Sequence, residues 1–477
     1  MKYLLLGNGI NIQFGGRAYT SEFMMKRIKY RAELGTYDYL FEGSIKSAEI
    51  LLLLNAFVGI ANSLRIGEFD QFCQDTDTKE AVEDFKKRYK NEIKKPHEIM
   101  LEDWLLLVHV FYLKHADLEK ERNSATAGFN RLLLDAIYND GKIQTIISHL
   151  DKRIQRQIKR FLNQYNAIFT LNYDNNVEFL YTKPVYHLHG DFSVLAESEN
   201  EKFASGFVRT KEHATVFQDK MLHCYCNALL DYSGNLKRRR MENNEKLIRE
   251  APYFSERYAN DLFFRSELER LQKKQPEEYK TIMAIIQHPD LLIATDYHYS
   301  DFCSITGELH ILGMSPNNDA HILDAISKNA RIKKLVYYYK SDSEKHIMEK
   351  KFGSDVECIS VDSLWKSLGC NLPQYNMNYT IPAKIDSFIQ IFNALSQDEI
   401  TKTNAIKEVN KLPQFEIERL CKLVKTDFQK RNPGNASTDE KGFIEQSASI
   451  SHIAVQEGIY PSVLIMICVM FYNEYLK

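Results

Sequence analysis

Apolar positions in this chain fall into two kinds of run. Short unbroken ones are KYLLL at 2–6, AIFTLN at 167–172, VYHLHG at 185–190, DLLIAT at 290–295, ELHILGMS at 308–315, KKLVYYY at 333–339 and VECISV at 356–361. They have the length and continuity of strands buried on both faces. Long ones carry apolar residues at three- and four-residue steps, as helices do. SIKSAEILLLLNAFVGIANSL, HEIMLEDWLLLVHVFYLKHADLEKE and KIQTIISHLDKRIQRQIKRFLNQY lie in a first helical stretch, about 44–164, and LKRRRMENNEKLIRE in a second, about 210–287. Another helix, DAHILDAISKNA, stands between two of the later strands. TSEFMMKRIKYRAEL follows the first strand with helical spacing, and Thr20 or Ser21 is placed to cap it.

This alternation predicts an α/β protein with a Rossmann-like parallel sheet and large helical insertions. The stretch 369–384, GCNLPQYNMNYTIPAK, breaks the pattern, and the text is helical from there to residue 477. A sheet domain over 1–368 and a helical C-terminal domain over 385–477 are therefore expected.

Composition narrows the class. A chain of 477 residues suits about two to four domains or one elaborated core. Sixty-two Lys and Arg face 64 Asp and Glu, a net charge of −2, so no global field draws it to a polyanion. Direct nucleic-acid binding is not expected on that ground, although a local patch stays open. The eight Cys are scattered and only Cys224 and Cys226 are close, which disfavours a zinc ribbon and suits a reducing compartment. The opening MKYLLLGNGIN is too short an apolar run for a secretory signal. SVLIMICVMFY at 462–472 is about half a membrane span and reads as a buried helix. A cytoplasmic protein that does not enter the membrane is the expectation. The KRRR run at 237–240 sits among acids and reads as a solvated face.

Four motifs carry candidate chemistry. Gly7-Asn8-Gly9 ends the first strand and opens a helix, where glycines let backbone approach a phosphate. The G-x-G-x-x-G spacing fails at Ile12, although Gly15 and Gly16 follow; a plain strand-to-helix turn is the alternative. Thr170, Asn172 and Asp174 stand at a strand tip, where a doubly wound sheet holds its ligands. An Asx-rich turn explains them equally well. His187 and His189, followed by Gly190, alternate onto one strand face, and either suits a general base near neutral pH. A metal reading needs further ligands that the spacing does not name, and a structural pair is the alternative. Gly313-Met314-Ser315 closes another strand, with Asn318 or Asp319 placed to cap the next helix.

In this order the four motifs resemble the sirtuin-like NAD-consuming fold, whose pattern runs Gly-Ala-Gly-x-Ser, Thr-x-Asn-x-Asp, His-Gly and Gly-x-Ser. The versions here, GNG, TLNYD with HLHG, and GMSPNNDAHI, look most like the bacterial branch that acts in anti-phage defence. The resemblance covers about residues 1–368. It implies that Gly7 and Gly9 cradle a pyrophosphate, that Asn172 holds the ribose and the attacking water, and that Asp174 meets the nicotinamide end. It gives His189 the active-site role, and it sets Thr170, His187, Gly313 and Ser315 around the cofactor. Asn8 and Asn11 stand where the family has Ala and Ser. The zinc cysteines of the protein-deacylating members are missing, which turns the expectation to hydrolysis of NAD as substrate, with no metal. The implied activity is cleavage of NAD+ to nicotinamide and ADP-ribose by a toxic, NAD-depleting effector of abortive infection. The implied partners are further copies of the chain and a second defence protein that gates it. An NAD- or ADP-ribose-binding regulatory module working through assembly is the alternative.

Overall fold

The computed structural model describes residues 1–38, 40–41, 45–193, 203–204, 219–230, 234–274, 276–288, 292–293, 296–388, 391, 400–434 and 439–477. Most of the expected strand 290–295 and the start of the expected second insertion, 210–218, lie outside these residues. The contacts divide the chain into two compact units.

The first unit comprises residues 1–10, 38–46 and 52–370. Its centre is a six-stranded sheet in which every pairing is parallel. The strands are β1 (Lys2–Leu6), β2 (Ala167–Thr170), β3 (Val185–His187), β6 (Gly307–Leu312), β7 (Ile332–Tyr339) and β8 (Val356–Ser360). A separate two-residue pairing joins β4 (Phe203–Ala204) to β5 (Leu292–Ile293). The sheet order is β3-β2-β1-β6-β7-β8. The chain builds outward from β1 to β3, returns beside β1 as β6, and builds outward the other way. That is a doubly wound, Rossmann-like order, and its switch point lies between β1 and β6.

The central strands β1 and β2 are apolar without alternation because both of their faces are covered. Leu4, Leu5, Leu6, Ile168, Leu309 and Ile311 are all fully buried. Each strand stops where the sequence turns polar or glycine-rich, and the register aligns the stops. Leu6 pairs with both Thr170 and Leu312, and Thr170 with His187. Gly7, Asn172, His189 and Gly313 therefore sit one or two residues beyond the same edge. Between β1 and β2 the chain is helical, with Ser21–Glu33, Ser47–Arg65, Thr76–Arg88, Asp103–Lys114, Arg122–Tyr138 and Lys152–Leu162 as the longer pieces. Ser47–Arg65 is the one helix, among the described residues, long and apolar enough to cross a membrane, and a third of that window is buried in the fold.

The second unit comprises residues 11–37, 47–51 and 371–477. Its membership differs from the division read in the sequence, because residues 11–37 pack with the C-terminal helices. Ser21–Glu33 lies on Ala448–Glu457. Arg27 is fully buried there and donates to the carbonyls of Ala18 and Val455 at 2.9 and 3.2 Å. The helix Pro461–Met470 is buried along nearly its whole length, as its unbroken apolar text predicts. Thr20 takes the N-cap position of Ser21–Glu33, but its hydroxyl donates back to the Arg17 carbonyl.

Candidate active site

At the switch point two glycine turns are packed backbone on backbone. The Gly7 amide donates to the Leu312 carbonyl at 2.9 Å, and the Gly9 amide to the Gly313 carbonyl at 2.8 Å. A Cβ on Gly9 would lie 2.5 Å from the Gly313 Cα, and one on Gly7 2.6 Å from the Gly313 oxygen. Gly313 has φ +75°, a conformation costly for any side chain. The glycines are thus required by the contact between β1 and β6. The Gly7 and Gly9 N–H groups already have acceptors, so neither is open to a phosphate in this conformation. Ser315, half-buried, folds its own turn: its hydroxyl accepts from the Asn317 amide at 3.4 Å. Asn8 is half-buried in the glycine turn, whereas Asn11 is buried and belongs to the second unit.

The Thr-x-Asn-x-Asp motif performs two tasks. The Thr170 hydroxyl accepts from the Asn172 amide, and the Asn172 side chain donates to the Gly7 carbonyl at 3.3 Å. Asn172 therefore bridges the tips of β1 and β2. Asp174, almost fully buried, accepts from the backbone and side chain of Asn176, at 3.2 and 2.7 Å. Asn176 in turn donates to the Ile143 carbonyl and accepts from the Ile147 amide. Asp174 is thus part of an Asx turn that anchors the loop to the segment before Lys152–Leu162.

The two histidines do not act as a pair. Nδ1 of His187 donates to the Asn172 carbonyl at 3.0 Å, and Nε2 meets the Glu178 carboxylate at 2.6 Å. Burial works to lower the His187 pKa, but the Glu178 hydrogen bond and charge outweigh it and raise the pKa above the ordinary value. His189 lies past the strand end and is buried. Its Nε2 is 3.2 Å from Nε2 of His321, with the rings stacked, and 3.9 Å from Oδ1 of Asp319. Burial holds His189 well below its ordinary pKa, with Lys237 and His321 adding to the effect. His321 is lowered in the same way, by burial and then by Lys237 and Arg238. Both shifts favour the neutral rings, and a hydrogen bond between the two Nε2 atoms requires the proton on one of them.

Around this pair the fold collects groups from distant parts of the first unit. Lys237 is buried and paired with Glu102, which corrects the expectation that KRRR is wholly solvated. Arg238 and Arg239 stay at the surface, paired with Glu242 and Asp77. Asp319 has φ +51° just before the helix Ala320–Lys328. Burial, and then the charge of Glu102, push its carboxyl up to about 7, against the pull of Lys237. The Tyr173 phenol is buried beside Glu102 and Asp319 and held well above its ordinary pKa. Glu102, Tyr173, Lys237 and His321 were not legible as site residues. Tyr173, Lys237 and His321 lie inside TLNYD, KRRR and GMSPNNDAHI, but nothing in those stretches set these residues apart, and Glu102 had no signal at all.

Among the described residues, two groups have metal-ligand spacing: His189, Asp319 and His321, and separately Asp135, His223 and Cys224. The first supplies the further ligands that the sequence left unnamed. The Lys237 ammonium faces the same cluster, however, and opposes a cation there. In the second, His223 is held 2.7 Å from Asp135 and stacks on Tyr138.

At the carboxyl edge of the sheet, then, are a switch-point glycine contact, a buried Asn bridging two strand tips, and a neutral histidine in a mixed-charge cluster. No family model, curated protein or solved structure matches this chain.

Proposed function

We propose that the first unit is a sirtuin-like NAD+ hydrolase that cleaves the nicotinamide–ribose bond, and that the chain acts as an NAD-depleting effector in anti-phage defence. The observation that carries the reading is the meeting of Asn172, Gly7 and Gly313 at the switch point of a doubly wound sheet, with neutral His189 on the adjoining tip. Dinucleotides bind at such points. In the reaction the C1′–N bond breaks, nicotinamide leaves neutral, a water oxygen bonds to C1′, and one proton is released. A leaving group of that kind needs no acid. The protein has to orient the ribose and the water and accept a proton. Asn172 supports the first task; for the second, the Asp319 carboxyl, raised to about 7 and 3.9 Å from Nε2 of His189, is the better proton acceptor, with His189 placing it.

One observation favours a second reading, an NAD- or ADP-ribose-binding module that works by assembly. The amides of Gly7 and Gly9 and the side chain of Asn172 are already satisfied within the fold. Such a site suits a ligand that locks a conformation.

The readings part in cells. Induced expression of the wild-type chain should lower the cellular NAD pool, and Asn172→Ala, expressed to the same level, should leave it intact. An unchanged pool with the wild-type chain, under conditions where it arrests growth, would favour the binding module.

A further inference from the structure

The helix Lys152–Leu162, KRIQRQIKRFL, divides its residues sharply. Ile154, Gln155, Ile158, Phe161 and Leu162 are buried, while Lys152, Arg153, Arg156, Lys159 and Arg160 are all exposed. At 100° per residue those five fall within an arc of about 120° and span about 12 Å along the axis. The helix contains no acid; Asp151, its N-cap, accepts from the Arg153 amide. Lys152 reaches Gln155, and Arg156 reaches the Lys152 carbonyl. Among the described residues none of the five cations is in an ion pair. Other surface helices balance their charge: Lys345 with Glu349, Arg419 with Glu416 and Glu457, Arg431 with Asp427. An acid-free row of five cations is the exception in a chain whose net charge is −2.

We propose that this face docks a nucleic-acid phosphate backbone. Five cations in a row, without intervening acid, match a ligand of uniform negative charge, and over 12 Å a duplex presents about seven phosphates. The face carries no apolar side chain to enter a bilayer, since every apolar residue of the helix is turned inward. It also offers none of the apolar or acidic contacts that a protein surface of mixed character needs. The contact is to the phosphate backbone, which carries no base sequence. This goes beyond the NAD reading and does not depend on it.

The test is fluorescence anisotropy of the full chain with a labelled DNA duplex of about 25 base pairs, titrated across salt concentrations. Binding should weaken with salt, with a log–log slope of about −3 to −4.5. The triple variant R153E/R156E/R160E should bind at least about tenfold more weakly, with a slope shallower by about three. The three side chains are exposed, and an unchanged thermal melt verifies the fold. Absence of salt-dependent binding by the wild-type chain would overturn the proposal, as would a variant with wild-type affinity and slope. Binding of polyglutamate but not of DNA would also overturn it and assign the face to an acidic protein.

Discussion

Burial, and then the charge of nearby Lys237, favour the neutral form of His189. A histidine whose folded pKa is depressed binds its proton in the unfolded chain first. Stability is therefore lost as pH falls below about 6.5, the unfolded value, at up to about 1.4 kcal/mol per pH unit per proton. His189→Gln should flatten that acid limb, measured as denaturant midpoints between pH 6.5 and 5. An unchanged limb would contradict the assignment. His187 has the opposite sign: its raised folded pKa gives stability that is complete below pH 6.5 and fades as pH rises through the folded value. Glu178→Gln should remove that contribution.

The shared proton between His189 and His321 makes a further residue-scale prediction. His321→Gln can still meet Nε2 of His189, whereas His321→Phe keeps the ring and loses the bond. Under the proposed chemistry the Phe variant should lose about tenfold or more in kcat with KM little changed, and the Gln variant less. Equal activity of the two would leave His321 a packing residue. The sequence marked His187 and His189 as a pair because alternation puts i and i+2 on one face. It could not show that the strand stops between them, at His187, so that each meets different partners.

At the scale of elements, the strands were legible because a sheet covered on both faces needs unbroken apolar runs, and KYLLL and KKLVYYY are such runs. The glycine turns were legible as turns, but their reason was not. Gly313 is far along the chain from Gly7 and Gly9, and only the β1–β6 pairing brings their backbones within contact. Gly9→Ala should cost about 1–3 kcal/mol, because the new methyl meets the Gly313 backbone, which cannot move aside cheaply. Thermal unfolding will show it; a melt within a degree of wild type would mean the turns are looser than described. Lys237 illustrates the converse. Its neighbours Arg238, Arg239 and Arg240 made the run look solvated, and one helical position turned inward to Glu102 escapes any reading of composition.

For the whole molecule, the break at 369–384 was visible, whereas the return of residues 11–37 to the C-terminal helices was not. Helix Ser21–Glu33 follows β1 directly, and periodicity does not say which neighbour covers its apolar face. The second unit does: Phe23 meets Tyr460, Tyr30 stacks on His452, and Arg27 is satisfied in part by Val455. Truncation after residue 384 should therefore strip a buried face and a buried guanidinium, giving an aggregated product in size-exclusion light scattering. A monodisperse truncated chain with the wild-type melt would show that residues 11–37 need no such cover.

The central claim is turnover at the carboxyl edge of the sheet, and chromatography of purified protein incubated with NAD tests it most directly. Nicotinamide and ADP-ribose should appear in equal amounts, and Asn172→Ala should slow their release by about a hundredfold or more while it still melts cooperatively as a folded chain. NAD that binds, shifts the melt and is recovered uncleaved, with and without added DNA duplex, would contradict the hydrolase account.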